Sequence, residues 1–242
     1  MKPLRSAALI GALCLAAAQA QAVPVTLAGT TVSFTFDDAL AGLFGTPSVS
    51  GDALFFTPTN FKAISSSGAG FVSASQTFNV AVTANAGYQI AGASLTENGD
   101  YYNINTNFAG FEGVAVGGQL RLVDLDAPFT PAVVGAISAT APLTATTTFP
   151  SGFATSNWTA TAAAAVPLGW GGADGIATAV NVTIENILIA SSLNAASAAF
   201  IEKKFAGLEI VTTPVPEPET YAFFLAGLGL VAALVRRRAN RR

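Results

Sequence analysis

Short runs in which apolar and polar residues alternate strictly recur along this chain. In Thr31–Phe36, the second, fourth and sixth residues are apolar and the others carry hydroxyl groups. Successive side chains of a strand point to opposite faces, so this pattern predicts a half-buried β-strand. The same reasoning predicts strands at Thr77–Thr83, Gln119–Val123, Thr178–Ile189 and Leu208–Val211.

The segments between these runs predict turns and irregularities. Asn98-Gly99 predicts a hairpin turn between strands at Ala91–Glu97 and Tyr101–Asn105. The apolar parity changes near Glu185-Asn186, which suggests a β-bulge or bend. Ala160–Val166 is rich in alanine but stops at a proline, so we expect at most one or two helical turns there.

Many strands without interleaved helices predict an all-β fold for residues 23–213. We expect an antiparallel β-sandwich, jelly-roll-like, as the ectodomain of an exported protein. It would be flanked by an N-terminal signal helix in residues 1–22 and by a C-terminal tail in residues 214–242 that contains a transmembrane helix.

The composition of the body excludes several classes of function. The chain has no histidine, and its one cysteine, Cys14, lies in the N-terminal segment. A mature body without either residue has no Ser-His-Asp or Cys-His catalytic site and no disulfide. Residues 23–210 contain twelve acidic and four basic residues, a net charge of −8, which disfavours binding to nucleic acid. We therefore expect no enzymatic activity.

The N-terminus has the layout of a signal peptide. Basic residues in Met1–Arg5 precede an apolar run at Ala7–Ala18, which is short for a membrane span. Ala20 and Ala22 then form a small-x-small cleavage site. The sequence predicts export and cleavage after Ala22.

The C-terminus has the layout of a membrane anchor. Tyr221–Val235 is an apolar run of 15 residues, which as a helix would measure about 22 Å against a hydrocarbon core of about 30 Å. Arg236, Arg237 and Arg238 follow at once and would stay on the cytoplasmic side as a stop-transfer signal. We expect a single-pass helix with the body facing outward.

A proline-rich peptide precedes this run. Pro216-Glu217-Pro218 cannot continue a strand or helix, so we expect an extended, exposed segment. With Thr220-Tyr221-Ala222, the leucine- and glycine-containing core of the apolar run and the arginine cluster, Val215–Arg238 resembles the PEP-CTERM sorting domain of Gram-negative bacteria. A plain single-pass anchor without processing is the alternative.

The resemblance implies a partner and a destination. Tails of this family are thought to be cut at or near the Pro216-Glu217-Pro218 motif by exosortase, a membrane enzyme. Proteins that carry them occur in bacteria that make exopolysaccharide and are associated with biofilm or extracellular matrix. The resemblance thus implies an inner-membrane intermediate, followed by release to the cell surface or matrix.

Two acidic pairs are candidate calcium ligands, because a hard cation needs only oxygen donors. Asp37 and Asp38 end a predicted strand, and Asp124 and Asp126 precede a proline-rich loop. Neither pair matches an EF-hand or a glycine-rich calcium repeat, and solvated turns are the preferred interpretation. We therefore expect no cofactor, with calcium as the alternative.

Aromatic residues suggest an alternative function for the body. Flat rings beside amide groups hold sugars, although aromatic residues in a sandwich more often form the core. A structural or adhesive role is therefore preferred, with binding of exopolysaccharide as the alternative and a two-carboxylate, glycan-active enzyme third. The aromatic candidates, with interleaved Asn103, Asn105 and Asn107, are Tyr101, Tyr102, Phe108, Phe111, Trp158 and Trp170.

Overall fold

A computed structural model describes residues 24–104, 113–126, 138–215 and 218–239. The described chain consists mostly of β-strands and ends in an α-helix. The strands are β1 (Pro24–Ala28), β2 (Val32–Asp37), β3 (Ser48–Ser50), β4 (Ala53–Phe56), β5 (Lys62–Ser66), β6 (Gly70–Ala84), β7 (Tyr88–Ile104), β8 (Gly113–Asp124), β9 (Ser138–Pro142), β10 (Thr144–Ala145), β11 (Gly152–Ala165), β12 (Ala179–Ser192) and β13 (Ala198–Pro214), and the helix is α1 (Pro218–Ala239).

The strands form two antiparallel sheets. The order across the first sheet is β1-β2-β6-β12-β8-β9. The order across the second is β10-β11-β7-β13-β4-β3, and β5 also pairs with β13. The chain passes repeatedly from one sheet to the other, so that β12 and β13, which a short loop joins, belong to different sheets.

Side chains of both sheets meet in one hydrophobic core. The ring of Phe78 in β6 lies 5.0 Å from that of Phe56 in β4, measured between centroids. Phe44, from the segment between β2 and β3, lies 5.2 Å from Phe56 and 5.4 Å from Phe61. Aromatic pairs at these separations contribute more stability than the burial of their surface area alone would give. The cluster therefore packs the two sheets against each other.

The alternating runs form the predicted strands. β2 buries Val32, Phe34 and Phe36 on one face, as the sequence predicted. The predicted runs at 77–83 and 119–123 lie within β6 and β8. The burial of one apolar face fixes which residues of each strand point inward. The alternating pattern in the sequence therefore predicts these strands correctly.

The predicted hairpin at Asn98-Gly99 is wrong, because β7 runs through it without a break. Gly99 lies opposite Lys203 of β13. A Cβ atom on Gly99 would lie 1.9 Å from the carbonyl oxygen of Glu202. Glycine at this position therefore permits a close approach of two backbones and does not form a turn.

The helical turns considered for Ala160–Val166 are also absent, since Ala160–Ala165 belongs to β11. Ala160, Ala162 and Ala164 are buried, and the alternate residues Thr161 and Ala163 are exposed. All of β11 from Ser156 onward pairs with β7. Pairing with a neighbouring strand here overrides the helix preference of alanine.

The predicted bulge near Glu185-Asn186 does not interrupt β12. This strand pairs with β6 and β8 without a shift of register. Ile184, Asn186 and Leu188 are all buried on one face. The parity appeared to change because a polar residue, Asn186, occupies an inward position.

The two ends differ in what the structure describes. The predicted signal peptide, with Ala20 and Ala22, lies outside the described residues. Helix α1 covers the range 221–235, for which the sequence predicted a transmembrane helix. Among the residues that the structure describes, no helix combines the length and the apolar character needed to cross a membrane.

Candidate functional site

The acidic pair Asp124 and Asp126 holds a neighbouring loop in place. One Asp124 carboxylate oxygen accepts a hydrogen bond from the Gly171 amide at 3.0 Å, and the other accepts from the Asp126 amide at 2.9 Å. Asp126 accepts from the amide of Thr178 at 2.5 Å and from that of Ala179 at 3.0 Å. These carboxylates therefore join the end of β8 to the start of β12.

The other acidic pair stabilises a short turn. Asp37 Oδ1 accepts from the Ala39 amide at 3.0 Å and caps the 3-10 helix Asp38–Leu40, whose first residue is Asp38. Within residues 24–104, 113–126, 138–215 and 218–239, no group of three or more acidic, histidine or cysteine residues is placed to hold a metal ion. The geometry thus gives both pairs a structural role, and calcium binding stays an untested alternative to the prediction of no cofactor.

Three of the aromatic candidates for sugar binding belong to the core. Tyr101, Trp158 and Trp170 are all buried. The indole nitrogen of Trp158 donates to a backbone carbonyl oxygen at 2.9 Å, which satisfies its polar group inside the protein. Tyr102 stacks on Phe200 with centroids 5.3 Å apart. Candidates between 105 and 112 lie outside the described residues.

A cluster of three polar side chains lies inside the hydrophobic core. Lys203 Nζ lies 2.6 Å from Glu97 Oε1, and both side chains are completely buried. The amide nitrogen of Asn186 donates to the other carboxylate oxygen, Glu97 Oε2. One carboxylate therefore contacts an amine through one oxygen and a carboxamide through the other.

The sheets bring these three residues together from distant positions in the sequence. Glu97 in β7 and Lys203 in β13 belong to neighbouring strands of the second sheet, and Asn186 in β12 belongs to the first. The register between β7 and β13 shifts between Lys203 and Phe205. Lys203 continues the buried phase of Ile201, Lys204 is exposed, and after the shift the buried phase resumes at Ala206.

Aromatic rings complete the surroundings of the cluster. Lys203 Nζ lies 4.8 Å from the ring centroid of Phe44 and 4.6 Å from that of Phe61. The faces of aromatic rings attract a cation, yet they offer no hydrogen-bond acceptor comparable with water. Among the described residues, the side-chain oxygen of Asn186 has no hydrogen-bond partner. A buried polar atom without a partner is costly in a folded protein.

Burial shifts the titration of both charged groups toward their neutral forms. It raises the pKa of Glu97, although the Lys203 ammonium and the hydrogen bond from Asn186 act to lower it. Burial also lowers the pKa of Lys203 to about 8, against the opposing attraction of Glu97. Loss of water penalises a charged group more than its neutral form, which explains both directions.

The sequence contained a signal for this cluster that its alternating pattern obscured. Each residue stands two positions after a buried apolar residue on the same face of a strand. A polar residue in the inward phase of an alternating run is therefore a marker of a buried site. The pairs are Leu95 with Glu97, Ile184 with Asn186, and Ile201 with Lys203.

The sorting tail follows directly from the last strand. The amide of Val215, just after β13, donates to the carbonyl oxygen of Gly87 at 2.8 Å. Pro216 and Glu217 lie outside the described residues, and Pro218 begins α1. The side chains of Arg236 and Arg237 near the end of α1 are exposed. In the sequence, the first two residues of the motif therefore come between the end of β13 and α1, and the third begins the helix.

Comparison with known proteins confirms the predicted tail. Residues 214–239 match the family described as the PEP-CTERM protein-sorting motif. The chain carries this sorting motif, consistent with a substrate of exosortase. No curated protein matches the chain.

One solved structure that resembles the chain is titled "Structure of infectious bursal disease virus Gt strain". The two share 12% identity with a TM-score of 0.22, over 88% of this chain and 56% of the viral chain. The chain thus spans little more than half of that relative. A likeness at this level carries no argument about fold or function.

Proposed function

We propose that this is an exported surface or extracellular-matrix protein that exosortase removes from a temporary membrane anchor. The match of residues 214–239 to the PEP-CTERM sorting motif carries the proposal. Export by the N-terminal signal peptide places the body outside the membrane. The region of α1 holds the intermediate as a single pass, with the arginines on the cytoplasmic side.

The order of elements supports processing at the motif. A folded strand ends at Pro214, and the Val215 amide fixes that end to Gly87. Pro216 and Glu217 follow immediately, before the helix begins. In this proposal the recognition peptide then lies at the membrane-facing end of the body, where a membrane enzyme can reach it.

The body acts, in this proposal, as a jelly-roll-like β-sandwich with a structural or adhesive role in biofilm matrix. It works without catalysis and without a cofactor. The support is the pair of antiparallel sheets around one core and the light charge of the chain, 10% against about 25% in average proteins.

Substitution of the motif glutamate tests the sorting proposal. In a host that has exosortase, the wild-type body reaches the surface or medium without its tail. Glu217→Ala keeps the protein at full length in the membrane fraction, while the matched control Glu219→Ala, next to the motif, is released. Fractionation with immunoblotting measures this. Release of Glu217→Ala at the wild-type level would contradict the proposal.

Binding of exopolysaccharide is a second candidate, favoured by a polar depression on the first sheet. It has a volume of about 440 Å³, and Ser75, Thr77, Gly118 and Glu185 contribute to its lining. Gln119 Nε2 donates to Glu185 Oε2 at 2.5 Å and so orients the carboxylate. Hydroxyl and carboxylate groups in a concavity suit the hydroxyl groups of a sugar.

A pull-down with exopolysaccharide from the producing strain tests this second candidate. Binding that falls in Glu185→Ala but not in Glu209→Ala, a control carboxylate on another strand, would support it. Equal retention of the two variants, or no retention of the wild type, would remove it.

A further inference from the structure

We propose that Lys203 and Asn186 become joined by an intramolecular isopeptide bond, with Glu97 as the catalytic carboxyl group. The three side chains supply an amine and a carboxamide that both contact one carboxyl group. Nothing in the sorting function uses these residues, so the inference stands independently of it.

The geometry holds the two reacting groups at one carboxyl group. Glu97 Oε1 contacts the amine nitrogen of Lys203 at 2.6 Å, and Oε2 accepts from the amide nitrogen of Asn186. The amine and the carboxamide are therefore held on the same carboxyl group, each by a different oxygen. They are fixed on paired or packed strands, so little conformational freedom remains to be lost on reaction.

The surroundings favour reaction over a permanent ion pair. Both Lys203 and Glu97 are withdrawn from water, and aromatic rings face the amine. A buried ion pair gains little net stability, because both charges lose their hydration. A neutral amine is also the form of lysine that attacks a carbonyl group. Bond formation replaces the buried charge with a neutral amide.

The proposed step balances without an oxidant, a metal or an added reactant. Proton transfer within the pair gives a neutral Lys203 amine and a protonated Glu97. The amine nitrogen attacks the side-chain carbonyl carbon of Asn186 and forms the new C–N bond. Glu97 gives its proton to the departing amide nitrogen of Asn186 and takes another from the attacking nitrogen of Lys203. The old C–N bond breaks and ammonia leaves, with Glu97 again protonated.

The bond would join the two sheets at the strand that leads to the tail. Asn186 lies in the first sheet, and Lys203 lies in β13, which ends at Pro214 next to the sorting motif. A pulling force on the C-terminal end of the body would then be transmitted to β12 through the isopeptide bond. Such a connection suits a protein that is held by its C-terminus during sorting.

Mass spectrometry of the purified full-length chain tests the proposal. We expect an intact mass lower than that of the sequence by one ammonia molecule. Cleavage after glutamate separates Asn186–Glu202 from Lys203–Glu209 in an unlinked chain. In the linked chain these two peptides remain joined. The joined peptides distinguish the bond from ring closure of an asparagine, which also releases ammonia but joins no peptides.

Two variants and a control define the expected outcomes. Glu97→Gln removes the catalytic carboxyl group at nearly constant size, and Lys203→Met removes the amine, so both lose the joined peptides. Lys204→Ala, at the exposed neighbouring lysine, retains them. Circular dichroism establishes that each variant is folded. A wild-type chain that has the full sequence mass and separate peptides would overturn the proposal, as would a joined peptide pair in folded Glu97→Gln.

Discussion

At the scale of single residues, Lys203 and Glu97 form a buried pair in which each group needs the other for compensation. Each group is completely buried, and each lies within ion-pair distance of the other. Removal of one partner of a buried pair leaves the other uncompensated, whereas removal of both can be nearly neutral. The stability of variants therefore reveals whether the two side chains compensate each other.

Comparison of two unlinked variants isolates this compensation. Glu97→Leu leaves the Lys203 amine in the core without a partner. We expect its free energy of unfolding to be about 3–5 kcal/mol lower than that of the double variant Glu97→Leu/Lys203→Met, which removes both groups. Neither variant can form the isopeptide bond, so urea unfolding compares them directly. A double variant less stable than Glu97→Leu would contradict this account.

The carboxyl group of Asp52 makes the stability of the fold depend on pH in the acid range. It accepts from the amide of Thr31 at 2.7 Å and from the hydroxyl of Thr31 at 2.6 Å. Partial burial acts to raise the pKa of this carboxyl group, but these hydrogen bonds and those of the adjacent amides outweigh it and lower the pKa. The contribution is therefore present above the unfolded pKa near 3.8 and is lost as the pH falls through the lower, folded value.

The variant Asp52→Asn measures this contribution. We expect it to be less stable than the wild type at neutral pH, with the difference shrinking as the pH falls from the unfolded pKa through the folded pKa. Urea unfolding over a series of pH values provides the test. A difference between the two proteins that stays constant throughout the acid range would argue against the assignment.

At the scale of elements, the close approach of β7 and β13 sets the position of Lys203. Gly99 allows this approach, because a Cβ there would lie 1.9 Å from a backbone oxygen. Gly99→Ala must therefore move two central strands apart, and we expect a loss of at least about 1–3 kcal/mol.

Gly117 supplies the matched control for that prediction. A Cβ on Gly117 would lie 3.5 Å from the nearest atom, a side-chain carbon of Ile187. Gly117→Ala should thus change stability much less than Gly99→Ala in urea unfolding. Equal effects of the two substitutions would show that the approach at Gly99 is not the limiting contact.

The pattern of the elements explains which predictions from sequence succeed. Strands with one apolar face, such as β2, can be predicted because a buried face repeats every second residue. Asn98-Gly99 and the alanine-rich part of β11 mislead because their local preferences give way to pairing with distant strands. Asn186 misleads because a polar residue in the core resembles a break in the pattern.

At the scale of the whole molecule, two sheets form the body, and residues 214–239 carry the sorting motif. The tail could be identified from sequence because its motif, apolar run and basic cluster are contiguous. Glu97, Asn186 and Lys203 could each be noticed as a polar residue in the inward phase of a strand, but not as one cluster, because only the packing of the two sheets brings them together. The last strand connects the two parts, since β13 carries Lys203 and ends beside the motif.

The C-terminus of the protein at its destination tests the sorting account most directly. Peptide mass spectrometry of the protein recovered from the surface or medium of a host with exosortase identifies that terminus. We predict an end at or near Pro216-Glu217-Pro218, with the segment from Tyr221 to Arg242 absent. Surface protein that retains Arg242, in the same amount with and without exosortase, would contradict the account.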